Sequence, residues 1–155
     1  MRLIVAYFSR KVYWFDYDRF NLDQLPKDNW LCFATSDKKP NTNKFKQFVK
    51  CGIQNNILEF KGHGKYGEEL HDLFDQVMID LELSENLNYI DIATTCHNDE
   101  SYADAFWQCF FATTLPVRAD LDDISIVCMD LNGKDRSVEL KGIIDRFEKG
   151  WIPED

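Results

Sequence analysis

The segment Asn56-Ile-Leu-Glu-Phe-Lys-Gly-His-Gly-Lys-Tyr-Gly67, read with the later segment Tyr89-Ile-Asp-Ile-Ala-Thr-Thr-Cys-His-Asn-Asp-Glu100, decides how this chain folds. Each begins as an apolar run of strand length and ends in polar, turn-forming residues, and each is followed by a helical pattern. The first run predicts a strand over 56–60 and the second a strand over 89–95. Between them, Leu70, Leu73, Phe74, Val77 and Leu81 recur at helical spacing, so residues 68–83 form a helix. Glu68, Asp72 and Asp75 fall on its wet side. The second run leads into a helix over 101–115 that is apolar nearly all round (Phe106, Trp107, Cys109, Phe110, Phe111) and ends at Pro116. Such a helix is covered by other elements or forms an interface.

The same alternation extends in both directions. Asn29-Trp-Leu-Cys-Phe-Ala-Thr35 is a continuous apolar run, the pattern of a strand buried on both faces. A helix starting near Thr42 or Asn43 points Phe45, Phe48, Val49 and Ile53 inward. Ile124 to Met129 reads as a further strand, and a last helix from Asp135 or Ser137 buries Val138, Ile143, Ile144 and Phe147. Upstream, residues 2–8 and 12–17 are β-rich around Ser9-Arg-Lys11 and form a hairpin. The expected fold is one α/β domain over 1–155, a Rossmann-like three-layer sandwich with a mostly parallel sheet and an N-terminal β-hairpin. Sheets of this kind take ligands outside the carboxyl ends of their strands. That rule gathers His63, Cys96, His97, Asp99, Glu100 and Asp130 on one rim.

Composition narrows the partners. The 155 residues are 45 % hydrophobic and 14 % aromatic, enough for a real core. A formal net charge of -9 repels phosphate backbones and anionic membranes, so nucleic acid and membrane are excluded and a macromolecular partner is basic or neutral. Apolar runs stay well short of the roughly twenty residues a membrane helix needs, and the N-terminus lacks a signal-peptide pattern, which predicts a cytoplasmic protein. Five cysteines, odd in number and without Cys-x-x-Cys spacing, read as reduced thiols.

Four chemistries fit the rim. Gly62-His-Gly64-Lys-Tyr-Gly67 matches the glycine pattern that lets a backbone approach a pyrophosphate at a helix N-terminus, although Glu68 and Glu69 follow at once. His63 and Cys96, each closing a strand before a helix, can act as base and nucleophile of a thiol hydrolase, with His97 beside them. This His-Gly and Cys-His arrangement resembles the caspase-like proteases, and the resemblance implies those roles for His63 and Cys96. His63, His71 and His97 with Asp72, Asp99 or Glu100 offer imidazole and carboxylate groups to a metal, without any fixed-spacing signature. Glu59-Phe-Lys61 is similar to the Glu-x-Lys of metal-dependent nucleases but lacks an identifiable upstream Asp. The bland reading of Asn98-Asp-Glu-Ser101 is helix capping. Thr94 to Ser101, leading into a Phe-Trp helix, resembles small bacterial α/β proteins of unknown function. No pattern specifies a cofactor. The expected function is an inhibitor- or immunity-like module that binds a basic protein, with a homodimer through helix 101–115 as a further expectation. A thiol hydrolase, or a metal- or nucleotide-binding domain at the same rim, is the alternative.

Overall fold

The computed structural model describes residues 1–85 and 90–154. Its strands are β1 (Arg2–Tyr7), β2 (Arg10–Trp14), β3 (Trp30–Thr35), β4 (Glu59–His63), β5 (Ala93–His97) and β6 (Ile124–Asp130). The helices are α1 (Thr42–Gln54), α2 (Gly67–Ser84), α3 (Tyr102–Phe111) and α4 (Ser137–Glu148). The six strands form one sheet in the order β1-β2-β6-β3-β4-β5. Among the described residues only β1 and β2 pair antiparallel; the other neighbours are parallel. The α/β fold with a mostly parallel sheet and an N-terminal hairpin is therefore as expected.

The sheet separates two cores. On one face, Phe45, Phe48 and Val49 of α1 and Leu70, Phe74 and Val77 of α2 pack on Cys32, Phe60 and Val127. On the other, Phe106 and Phe110 of α3 and Ile144 and Phe147 of α4 pack on Val12, Leu31, Phe33 and Ile126. Strand side chains alternate between faces, which is why neighbours such as Cys32 and Phe33 belong to different cores. Every residue of β3 is buried, as its continuous apolar run requires.

Several details differ from expectation. The hairpin turn is Phe8-Ser9, not Ser9 to Lys11. Tyr7 pairs with Arg10, and both turn residues have positive φ (51° and 60°), the geometry that suits a two-residue hairpin. β4 begins and ends three residues later than 56–60. Lys61 and His63 are polar yet buried strand residues, and hydropathy cannot see them as such. β5 is likewise displaced to 93–97; Tyr89 lies outside the described residues. α3 stops at Phe111, short of 115, and Val138 is exposed on α4. The apolar surround of α3 has an internal explanation: Tyr102, Ala105, Phe106, Cys109 and Phe110 are all buried in the second core. No described helix is long and apolar enough to cross a membrane.

Candidate functional site at the carboxyl rim

Thr35, His63, His97 and Asp130 each close a parallel strand, so the rim forms as expected from sequence. β4 and β5 run in register, with Gly62 opposite Cys96 and His63 opposite His97. In-register residues share a face and successive residues alternate. His63 and His97 therefore face α3, while Cys96 faces α2. This corrects the expected thiol hydrolase: His63 and Cys96 lie on opposite faces of the sheet and do not meet. Burial pushes the exposed Cys96 thiol above its ordinary range, and the carboxylates of Glu68 and Asp72 on α2 push it further. A nucleophilic cysteine needs the opposite surroundings.

Both histidines are engaged internally by one residue. His63 Nε2 lies 3.0 Å from the main-chain oxygen of Glu100, which can only accept, so Nε2 carries the proton. Nδ1 then faces Thr35 Oγ1 at 3.2 Å as an acceptor. Burial, helped by the nearby Arg136 charge and opposed by the Glu100 bond, holds His63 below its usual value and keeps it neutral. His97 Nδ1 donates to Glu100 Oε1 at 3.0 Å, and Gln108 Nε2 donates to Glu100 Oε2 at 2.7 Å. Glu100 thus clamps the two strand ends to the start of α3.

A buried polar line runs inward from that clamp. His97 Nε2 and Lys61 Nζ each lie 3.3 Å from Thr95 Oγ1, and Lys61 pairs with Glu59 at 2.9 Å. Burial raises the Glu59 carboxyl despite the Lys61 ammonium beside it, and its second oxygen has no partner among the described residues. Glu59-Phe-Lys61 is therefore an internal ion pair. The line is half-buried at Thr95 and joins this ion pair to the Glu100 clamp.

The three glycines also have internal reasons. A Cβ on Gly62 would stand 2.4 Å from the Gly67 carbonyl oxygen, so β4 and the start of α2 touch through bare backbone. Gly64 has φ +89°, and a Cβ there would meet Asp37 Oδ1 at 2.7 Å. A carboxylate at Gly64 and acids at 68 and 69 make this loop a poor phosphate cradle. His71 lies apart on α2, between Asp72 and Asp75. Among the described residues, no three His, Cys, Asp or Glu side chains converge as a metal site. Capping falls to Ser101, whose hydroxyl accepts from Asp104 N at 3.1 Å; Asn98 Oδ1 is buried without a partner among the described residues, and Asp99 is exposed.

Two features escaped the sequence reading. Arg136 donates to Asp130 Oδ2 at 3.0 Å, approaches Asp37 at 3.6 Å and Glu139 at 3.3 Å, and stacks 4.6 Å from the Tyr102 ring centroid. It ties β6 to the loop after β3 and to α3. Beside it, at the ends of β2 and β6, opens a cleft of about 910 Å³ lined by Asp16, Tyr17, Asp18, Asp130, Lys134 and Asp135 among others. The clustering of Asp16 and Asp18 after an apolar strand was the available signal.

No curated protein and no solved structure matches the chain. A family model described as a domain of unknown function, DUF7684, matches residues 13–146, from the second hairpin strand to the last turns of α4. The chain therefore belongs to the DUF7684 family.

Proposed function

We propose that the protein is a cytoplasmic binding module for a basic protein partner, with no catalytic role for the histidine rim. The observation that carries this reading is the composition of α2. It holds six carboxylates (Glu68, Glu69, Asp72, Asp75, Asp80 and Glu82) and no Lys or Arg, in a chain whose formal net charge is -9. Glu68 and Glu69 suit the positive end of the helix, but Asp80 and Glu82 sit near its negative end. Like charges at helical spacing repel by a few tenths of a kcal/mol per pair. Some of these acids have local partners, His71 beside Asp72 and Asp75, Thr94 on Asp75, Gln76 on Asp80 and the Ile90 amide on Glu82, but among the described residues none is paired with Lys or Arg, and a basic partner makes the surface favourable and speeds encounter. The second copy of a homodimer through α3 is a weaker candidate, because that helix already buries its apolar residues in its own core.

Affinity purification from the native host at low salt tests the reading. The expected result is a basic protein that is released as salt rises and is not retained by the Glu68→Gln/Asp72→Asn/Asp75→Asn variant. Retention of the same proteins by wild type and variant contradicts it. The cleft beside β2 and β6 favours a second reading, a small polar ligand held by Asp18 and Lys134. A thermal-shift screen of polar metabolites tests that reading. A hit must lose its effect in Asp18→Asn.

A further inference from the structure

The two edges of the sheet are built differently. β1 is blunted: its register breaks at a bulge between Leu3 and Val5, and Arg2 is tied down to Asp135 and Ser137. Bulges and charged residues are the usual devices that stop an edge from pairing with another chain. β5 has neither. It reads Ala-Thr-Thr-Cys-His, without proline, lysine, arginine or carboxylate, and its register with β4 is unbroken from Glu59–Ala93 to His63–His97. Among the described residues no strand pairs with its outer side, and Cys96 is exposed there.

The flank of β5 is acidic on one face. Thr94 and Cys96 face α2, where Thr94 Oγ1 donates to Asp75 Oδ1 at 2.6 Å, and Glu68 and Asp72 are the charges that act on Cys96. Thr95 and His97 face the other way and are engaged with Lys61 and Glu100. From this arrangement we propose that β5 is a docking edge for an extended basic segment of the partner, added as a seventh strand. The inference rests on the basic-partner reading and names its surface. Main-chain hydrogen bonds supply affinity, and alternate side chains supply specificity. Because strand side chains alternate, the residues brought over α2 are every second one, and these are Lys or Arg. A second copy of this chain is disfavoured at the same edge: two-fold pairing of β5 with β5 brings two α2 helices, with six carboxylates each, onto one face.

The test uses the full chain and three ten-residue probes: alternating Lys and Val, the same peptide N-methylated at alternate positions, and alternating Glu and Val. Anisotropy of the labelled peptide reads binding, and the rate of Cys96 alkylation by iodoacetamide reads location. The Lys-Val peptide is expected to bind saturably and slow Cys96 alkylation. The N-methylated peptide keeps the charge but loses donors, and is expected to bind at least about tenfold more weakly, since a few backbone bonds at about 1 kcal/mol each amount to that factor. Cys96→Lys, a change at an exposed position, is expected to weaken the Lys-Val peptide similarly, and the Glu-Val peptide not to bind. Equal binding of the methylated and unmethylated Lys peptides overturns the docking edge while leaving the basic-partner reading in place. Absence of binding by either Lys peptide, with Cys96 alkylation unchanged, also overturns the edge; the partner reading is then judged by the purification experiment alone.

Discussion

Gly62 and Gly67 meet so closely that a Cβ on the first would stand 2.4 Å from the carbonyl oxygen of the second. Backbone, not a flexible side chain, blocks the space. Gly62→Ala is therefore expected to destabilise by about 1–3 kcal/mol, the range for an overpacked core. Gly142 is the internal control: it is exposed on α4, and a Cβ there meets nothing within 4 Å. Gly142→Ala is expected to stabilise by about 0.5–1 kcal/mol through helix propensity. Urea midpoints of the two variants, moving in opposite directions, check both.

The hairpin offers a larger gain. Phe8 and Ser9 both hold positive φ, a conformation that costs non-glycine residues roughly 1–2 kcal/mol each. Replacing the pair by Asn-Gly supplies the residues this turn favours. Thermal denaturation is expected to show a more stable variant with unchanged circular dichroism.

Lys61 and Glu59 are 5 % and 3 % exposed and paired at 2.9 Å. Lys61→Met strands a carboxyl group in the core and is expected to cost about 3–5 kcal/mol. The double variant Glu59→Gln/Lys61→Met removes the stranded charge and is expected to recover most of that loss. A double-mutant cycle in urea measures the coupling.

His63 gives the chain a defined pH dependence. Burial lowers its folded value below the ordinary 6.5. As pH falls below about 6.5, the unfolded chain takes up a proton that the folded chain refuses. The unfolded state binds more protons there, so stability falls with falling pH until the folded value is passed. His63→Gln is expected to flatten that decline in urea midpoints between pH 7.5 and 5.

The alternation of strands and helices was legible because each apolar run faces a covered side of the sheet. The polar interior was not. Lys61, His63, Thr95 and His97 are strand residues whose hydrogen bonds run between chain segments far apart in sequence, 28 positions for Thr35 to His63, 34 for Lys61 to Thr95 and 37 for His63 to Glu100. Hydropathy ends β4 at Phe60 for that reason and shows only polar, turn-forming residues beyond it. The rim itself was located correctly, since it follows from strand ends. The error lay in facing: a strand shifted to end at His97 sends Cys96 to α2 and His97 to α3, which separates the pair a thiol mechanism needs. Arg136 was invisible because its partners, Asp37, Asp130 and Tyr102, come from three elements.

The role proposed for the carboxylates of α2 is recruitment of a basic partner. Its most direct measurement is the affinity of the alternating Lys-Val peptide for wild type and for Glu68→Gln/Asp72→Asn/Asp75→Asn across a salt series. Wild-type binding is expected to weaken steeply with salt, and the variant to bind about tenfold or more weakly at low salt with a flattened salt slope. Equal affinity and equal salt dependence of the two proteins would contradict it.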